Sequence, residues 1–127
     1  MQFKECYQNP FIEERADPYI TLGQDGFYYF TASYPMKSAD DKDGYDRVIL
    51  RRAKDISELA SAEEITIWKV ADTTLTHRFI WAPELHYIAG RWYVFYAGSE
   101  DKENNWAFDC HVLVCDSDDP YTGTWSE

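Results

Sequence analysis

The sequence predicts an all-β fold, and within that class a β-propeller. Three observations lead there. A unit of about sixty residues occurs twice, each copy divides into four short strands by polar turns, and the second strand of each copy is apolar on both faces. The first copy runs Asp17-Pro18-Tyr19 through Gly26-Phe27-Tyr28-Tyr29-Phe30-Thr31-Ala32-Ser33. The second runs Trp81-Ala82-Pro83-Glu84-Leu85-His86 through Gly90-Arg91-Trp92-Tyr93-Val94-Phe95-Tyr96-Ala97. Four-stranded units of this period, stacked face to face, are the blades of a propeller. The chain carries about two of them, over residues 11–70 and 79–127. A sandwich of eight strands would fit the length but leaves the repeat unexplained.

Residues 1–16 lead into the first copy, with a turn at Asn9-Pro10. Alternation predicts a strand at 18–22, a turn at 23–26 and an aromatic strand at 27–33. A charged loop follows to Tyr45. Residues 46–53 form the third strand, with Val48 and Leu50 on one face and Ile49 on the other. Asp55 caps a short helical turn through Ala60, and 65–70 is the fourth strand. The second copy repeats the order: a strand at 84–88, a tight turn at Ala89-Gly90, a strand at 91–97, a polar loop, a strand at 108–115, and a last strand beginning at Trp125. In the second aromatic strand Trp92, Val94 and Tyr96 lie on one side, with Tyr93, Phe95 and Ala97 on the other. Asp46-Arg47-Val48-Ile49-Leu50 parallels Asp109-Cys110-His111-Val112-Leu113, 63 residues on.

Composition narrows the partners. The net charge of −11 argues against nucleic acid and against anionic membranes, because phosphate surfaces call for clustered Lys and Arg. No apolar run approaches membrane length. Seventeen per cent of the residues are aromatic, which suits a packed β-core and equally a surface that meets the flat CH faces of a sugar. The cysteines are Cys6, Cys110 and Cys115, an odd number. Cys110 and Cys115 are expected on opposite faces of one strand, so they do not pair easily. With no basic, then apolar, opening to the chain, the expectation is a reduced, cytoplasmic protein.

Asp17 and Glu84 open the innermost strands of the two copies, so both could face one pocket at a channel mouth. Hydrolysis of a glycosidic bond with inversion needs one carboxylate to deprotonate a water and a protonated acid for the leaving oxygen, roughly 6.5–9.5 Å apart. Nearby acids keep the donor protonated by like-charge repulsion. The plainer alternative makes both residues surface acids at strand starts. Trp81 and Phe30 are candidate sugar-contacting walls, against the alternative of packing between blades, and His86 could face the channel. A lone His is a weak basis for a metal site. The run Asp40-Asp41-Lys42-Asp43-Gly44 lacks the ligand spacing of a calcium loop and reads as solvated.

Three phrases in this order closely resemble family 43 glycoside hydrolases: Asn9-Pro10 with Arg15-Ala16-Asp17-Pro18; Gly26 to Ser33; and Trp81-Ala82-Pro83-Glu84-Leu85-His86-Tyr87 with Gly90-Arg91-Trp92-Tyr93. The resemblance spans nearly the whole chain. It implies a five-bladed propeller that hydrolyses arabinose- and xylose-containing plant polysaccharides or oligosaccharides with inversion, most nearly as an α-L-arabinofuranosidase, with β-xylosidases in the same family. It makes Asp17 the general base and Glu84 the acid that orients and tunes the proton donor. Many members have Asp where this chain has Glu84. The family's general acid is a Glu of the third blade, so residues 1–127 are expected to be the N-terminal part of one catalytic domain and inactive alone. A carbohydrate substrate and no cofactor are expected. A structural calcium in the full propeller and the oligomeric state stay open. The competing function is a non-catalytic propeller that binds glycan or protein, and a third reading is that the short chain completes itself by assembling with others.

Overall fold

The structure is a computed structural model that describes residues 7–38, 44–104 and 106–127. Cys6 and most of the run 40–44 lie outside the described residues. Among the described residues the strands form two four-stranded antiparallel sheets. The first contains β1 (Ala16–Leu22), β2 (Tyr28–Ser33), β3 (Arg47–Ala53) and β4 (Ile65–Lys69), and the second β5 (Arg78–Ile88), β6 (Arg91–Ser99), β7 (Phe108–Cys115) and β8 (Trp125–Ser126). Each sheet is a meander in sequence order, as blades of a propeller are. The helical turn expected after Asp55 is a 3₁₀ turn, Ile56–Ala60, whose first turn is closed by the Asp55 carboxylate accepting from the Ser57 N–H.

The two sheets pack through one apolar layer. Tyr29, Val48 and Leu50 of the first sheet meet Leu85, Trp92, Val94, Tyr96, Leu113 and Trp125 of the second, together with Ile80. Within the regular stretches of the strands these residues share the inward side of the alternation, so the register of each strand fixes its part of the layer; Ile80 reaches the same layer from beyond the register shifts of β5. The Tyr29 and Trp92 rings lie 5.3 Å apart, and those of Trp68 and Tyr96 5.9 Å. Polar ties seal the edges: Arg52 donates to Asp119 at 2.9 Å, and the Tyr121 hydroxyl donates to the Glu63 carbonyl at 3.1 Å. The far face of the first sheet is also covered. Phe30, Ala32, Ile49, Ala53 and Leu59 form a second cluster under Phe11, Ile12 and Tyr34. Arg15, next to β1, is anchored to Glu64, which also accepts from Arg51 at 3.0 Å.

The second sheet is covered on one face only. Along β6, Trp92, Val94 and Tyr96 are buried, while Tyr93, Phe95 and Ala97 are only half-buried. On β7, Cys115 is buried and Cys110 exposed, on opposite sides as their spacing requires.

Most strands lie within two residues of their expected bounds, and one departs further. The first strand of the second copy begins at Arg78, not at residue 84. Phe79 and Ala82 adopt positive φ of 57° and 48°, and the register shifts between Arg78 and Trp81 and again between Trp81 and Glu84. Two bulges break the alternation that marks a strand, yet pairing resumes on both sides of them. The hairpin that follows needs no such device. Ala89 and Gly90 both take positive φ, at 49° and 84°, and join the pair Ile88 and Arg91 by a two-residue turn that matches strand twist.

Candidate active site

In an antiparallel meander alternate connections share an edge. The start of β1, the end of β2 and start of β3, the end of β6 and start of β7, and the start of β5 therefore lie along one rim. Asp17 stands on it, at the second position of β1. The pairing of β1 with β2 jumps from Ala16–Ser33 to Tyr19–Thr31, and Asp17 inside the jump has φ 50°. This bulge turns the Asp17 side chain to the end of β2, where the Ser33 hydroxyl donates to Asp17 Oδ2 at 2.9 Å. Ser33 has no exposed surface. Its Oγ also accepts from the Ala82 N–H at 2.8 Å, across the interface between the sheets.

The innermost strands β1 and β5 run close together, with the Tyr19 and His86 rings 5.3 Å apart. Along β5, Pro83 and Leu85 are buried towards the first sheet, while Ala82 and Glu84 are exposed on the other side and His86 is half-buried. Glu84 Oε2 is 3.0 Å from His86 Nε2, so the imidazole steadies the carboxylate. Glu84 lines an open groove of about 500 Å³ with Ala82, Phe95, Tyr96, Ala97, Phe108, Asp109 and Cys110. The groove occupies the uncovered face of the second sheet.

Two expectations change here. Glu84 sits in mid-strand rather than at the strand start, because the bulged residues before it belong to β5. The groove that Glu84 lines does not include Asp17. The two acids occupy neighbouring strands, but Asp17 is turned to Ser33 and Glu84 to the face beyond the second sheet.

Phe30 is not a sugar-contacting wall. It is 2% exposed and packs on Ile49 and Leu59, because alternation along β2 directs it to the face covered by the leading segment. Trp81 belongs to an aromatic group at the rim, its ring 4.4 Å from Phe108 and 5.8 Å from Tyr45. Its Nε1 is buried and unbonded among the described residues. Phe79 stacks at 15° on Trp106, which is 77% exposed. Sequence reasoning missed Ser33, Phe79 and Trp106. Ser33 ends the first aromatic strand sixteen residues after Asp17, and only the fold brings the two together. Trp106 lies between the polar loop at 100–105 and the strand at 108–115, and its one signal is a large aromatic beside a polar stretch.

Residues 7–127 match the family model described as glycosyl hydrolases family 43. The chain is 42% identical over 121 residues to an extracellular exo-α-(1→5)-L-arabinofuranosidase of Streptomyces avermitilis, a match that covers 95% of this chain and 23% of that protein. A protein of the same name from Streptomyces chartreusis is also 42% identical, with 34% of its length covered. Among solved structures, the α-L-arabinofuranosidase of Lactobacillus brevis superposes with a TM-score of 0.78 at 40% identity, covering 95% of this chain and 37% of that one. The chain spans about a quarter to a third of the length of these curated relatives. The cytoplasmic expectation is overturned by the same matches. Both Streptomyces relatives are named extracellular, and the first residues of this chain do not decide the compartment.

Proposed function

The chain belongs to glycosyl hydrolase family 43, and from that premise we propose that it forms the first two blades of a five-bladed catalytic domain. That domain would release terminal α-L-arabinofuranosyl residues from arabinose-containing plant polysaccharides or oligosaccharides, with inversion. The likeness to proteins named arabinofuranosidases supports the substrate class. The observation that carries the mechanism is the placement of the two acids. Asp17 is held on the rim by Ser33, and Glu84 stands on the adjacent innermost strand, facing the uncovered side of the second sheet.

In this reading Asp17 accepts a proton from a water whose oxygen attacks the anomeric carbon. The bond from that carbon to the leaving oxygen breaks on the opposite side, and a carboxylic acid protonates that oxygen. The acid would come from a third blade packed on the open face, outside residues 1–127. Glu84 lines that face, so its negative charge would keep the neighbouring acid protonated until the bond breaks. His86, at 3.0 Å, keeps the Glu84 carboxylate in one orientation. Trp81 and its aromatic neighbours would form the rim past which the sugar enters.

The test is hydrolysis of nitrophenyl α-L-arabinofuranoside and nitrophenyl β-xyloside by the complete protein, by Asp17→Asn and by residues 1–127 alone. The complete protein should cleave the arabinofuranoside, Asp17→Asn should lose at least a thousandfold, and the short chain should be inactive. A fully active Asp17→Asn removes the base assignment. Turnover by the short chain removes the claim that the proton donor lies outside it.

A further inference from the structure

Ser33 is the polar group on which the two sheets converge. It has no exposed surface, yet both of its hydrogen-bonding partners lie outside its own strand. The Ala82 N–H points at Ser33 Oγ, 2.8 Å away, and can only donate. The single hydroxyl hydrogen is therefore left for Asp17 Oδ2 at 2.9 Å. The direction of both bonds is set without any choice of rotor. Both partners sit at backbone irregularities with positive φ, 50° at Asp17 and 48° at Ala82. Such conformations cost free energy for a residue with a Cβ and persist where surrounding contacts enforce them. Here a bulge in β1 and a bulge in β5 are tied to one hydroxyl.

We propose that Ser33 is a positioning residue for the Asp17 carboxylate, locking it to the bulge of the second blade so that its other oxygen, Oδ1, stays aimed at the attacking water. The inference rests on the assignment of Asp17 as base. Loosening a base by a fraction of an ångström lowers the rate of proton transfer without weakening substrate binding. The Ala82 N–H makes the device two-sided, because Asp17 in the first blade takes its position from the β5 backbone that also carries Glu84. The two acids thus share one mechanical reference, although they line different surfaces.

The test is a double-mutant cycle in the complete protein, with kcat and KM on nitrophenyl α-L-arabinofuranoside and thermal unfolding of each variant. Ser33→Ala should lower kcat about tenfold and leave KM within about twofold, a loss of ~1.4 kcal/mol at the transition state. Asp17→Asn should lower kcat by at least a thousandfold, and adding Ser33→Ala to it should cost less than about twofold more. A role in packing alone would give the same fold loss in both backgrounds, and that result overturns the proposal while leaving the base assignment standing. Wild-type turnover by Asp17→Asn overturns both together. If Ser33→Ala does not fold, Ser33→Cys keeps the shape of the side chain but offers only a weak donor. A folded Ser33→Cys should lose kcat like Ser33→Ala, and wild-type kcat in it overturns the proposal.

Discussion

Glu84 and Leu85 are neighbours in sequence with opposite expected phenotypes. Leu85 has no exposed surface and sits in the apolar layer between the sheets. Glu84 points the other way, and its side chain is 53% exposed. Leu85→Ala removes three buried carbons, worth about 2.4 kcal/mol at ~0.8 kcal/mol each. A residual cavity of about 70 Å³ adds roughly 1.7 kcal/mol. The expected loss is about 4 kcal/mol, within the range of roughly 2–5 kcal/mol for buried Leu-to-Ala changes. Glu84→Gln should alter stability by less than about 0.5 kcal/mol, because it keeps the size of the side chain and an oxygen that can still accept a hydrogen bond. Its effect should fall on turnover. Thermal unfolding of the complete protein at a fixed scan rate separates the two. At roughly 2 °C per kcal/mol for a large domain, Leu85→Ala should lower Tm by about 8 °C while Glu84→Gln leaves it in place. Equal Tm losses in the two variants, or none in Leu85→Ala, would refute the assignment of faces along β5 and the reading of the groove as a functional surface.

Two further outcomes follow from local structure. Burial alone would raise the Glu64 carboxyl, but its bonds to Arg15 and Arg51 outweigh that and hold it below the ordinary 4.5. A lowered folded value means that the stabilisation is fully present above pH 4.5 and is lost as pH falls through the folded value. Glu64→Gln should therefore be less stable than the parent at pH 7, and the gap in Tm should narrow steadily below pH 4.5; a gap that stays constant down to pH 3 contradicts this. At the β5–β6 turn, Gly90 has φ 84° and nothing within 4 Å of where a Cβ would stand, so Gly90→Ala meets no clash and costs only backbone strain of about 1–2 kcal/mol. Gly90→Asn, which tolerates the left-handed region, should cost clearly less, and equal unfolding temperatures for the two would exclude strain as the cause.

Much of the fold is legible in the chain because a strand declares itself through alternation. Val48 and Leu50 against Ile49, or Trp92, Val94 and Tyr96 against Tyr93, Phe95 and Ala97, assign faces that packing then confirms. The beginning of β5 escaped because the signal is the alternation itself. Bulges at Phe79 and Ala82 shift the phase twice within six residues, so a paired strand reads as irregular chain. Phe30 was misjudged for a related reason. Alternation says that it and Tyr29 face opposite ways, but not which face meets the second sheet and which meets Phe11 and Ile12. The localisation expectation failed on different grounds, since a secretion address need not lie within the residues compared.

By itself the sequence determined the number of strands, the repeat that makes two blades of them, and the two acids flanked by proline. These are local or periodic properties, written in neighbouring residues. Tertiary structure alone decided where the acids point. Asp17 depends on a serine sixteen positions away and, through it, on an N–H forty-nine positions further along. Glu84 depends on which face of its sheet the first blade leaves open. Both outcomes are set by backbone bulges and by packing between sheets, where groups distant in the chain become neighbours, and no local pattern of residue types encodes that adjacency.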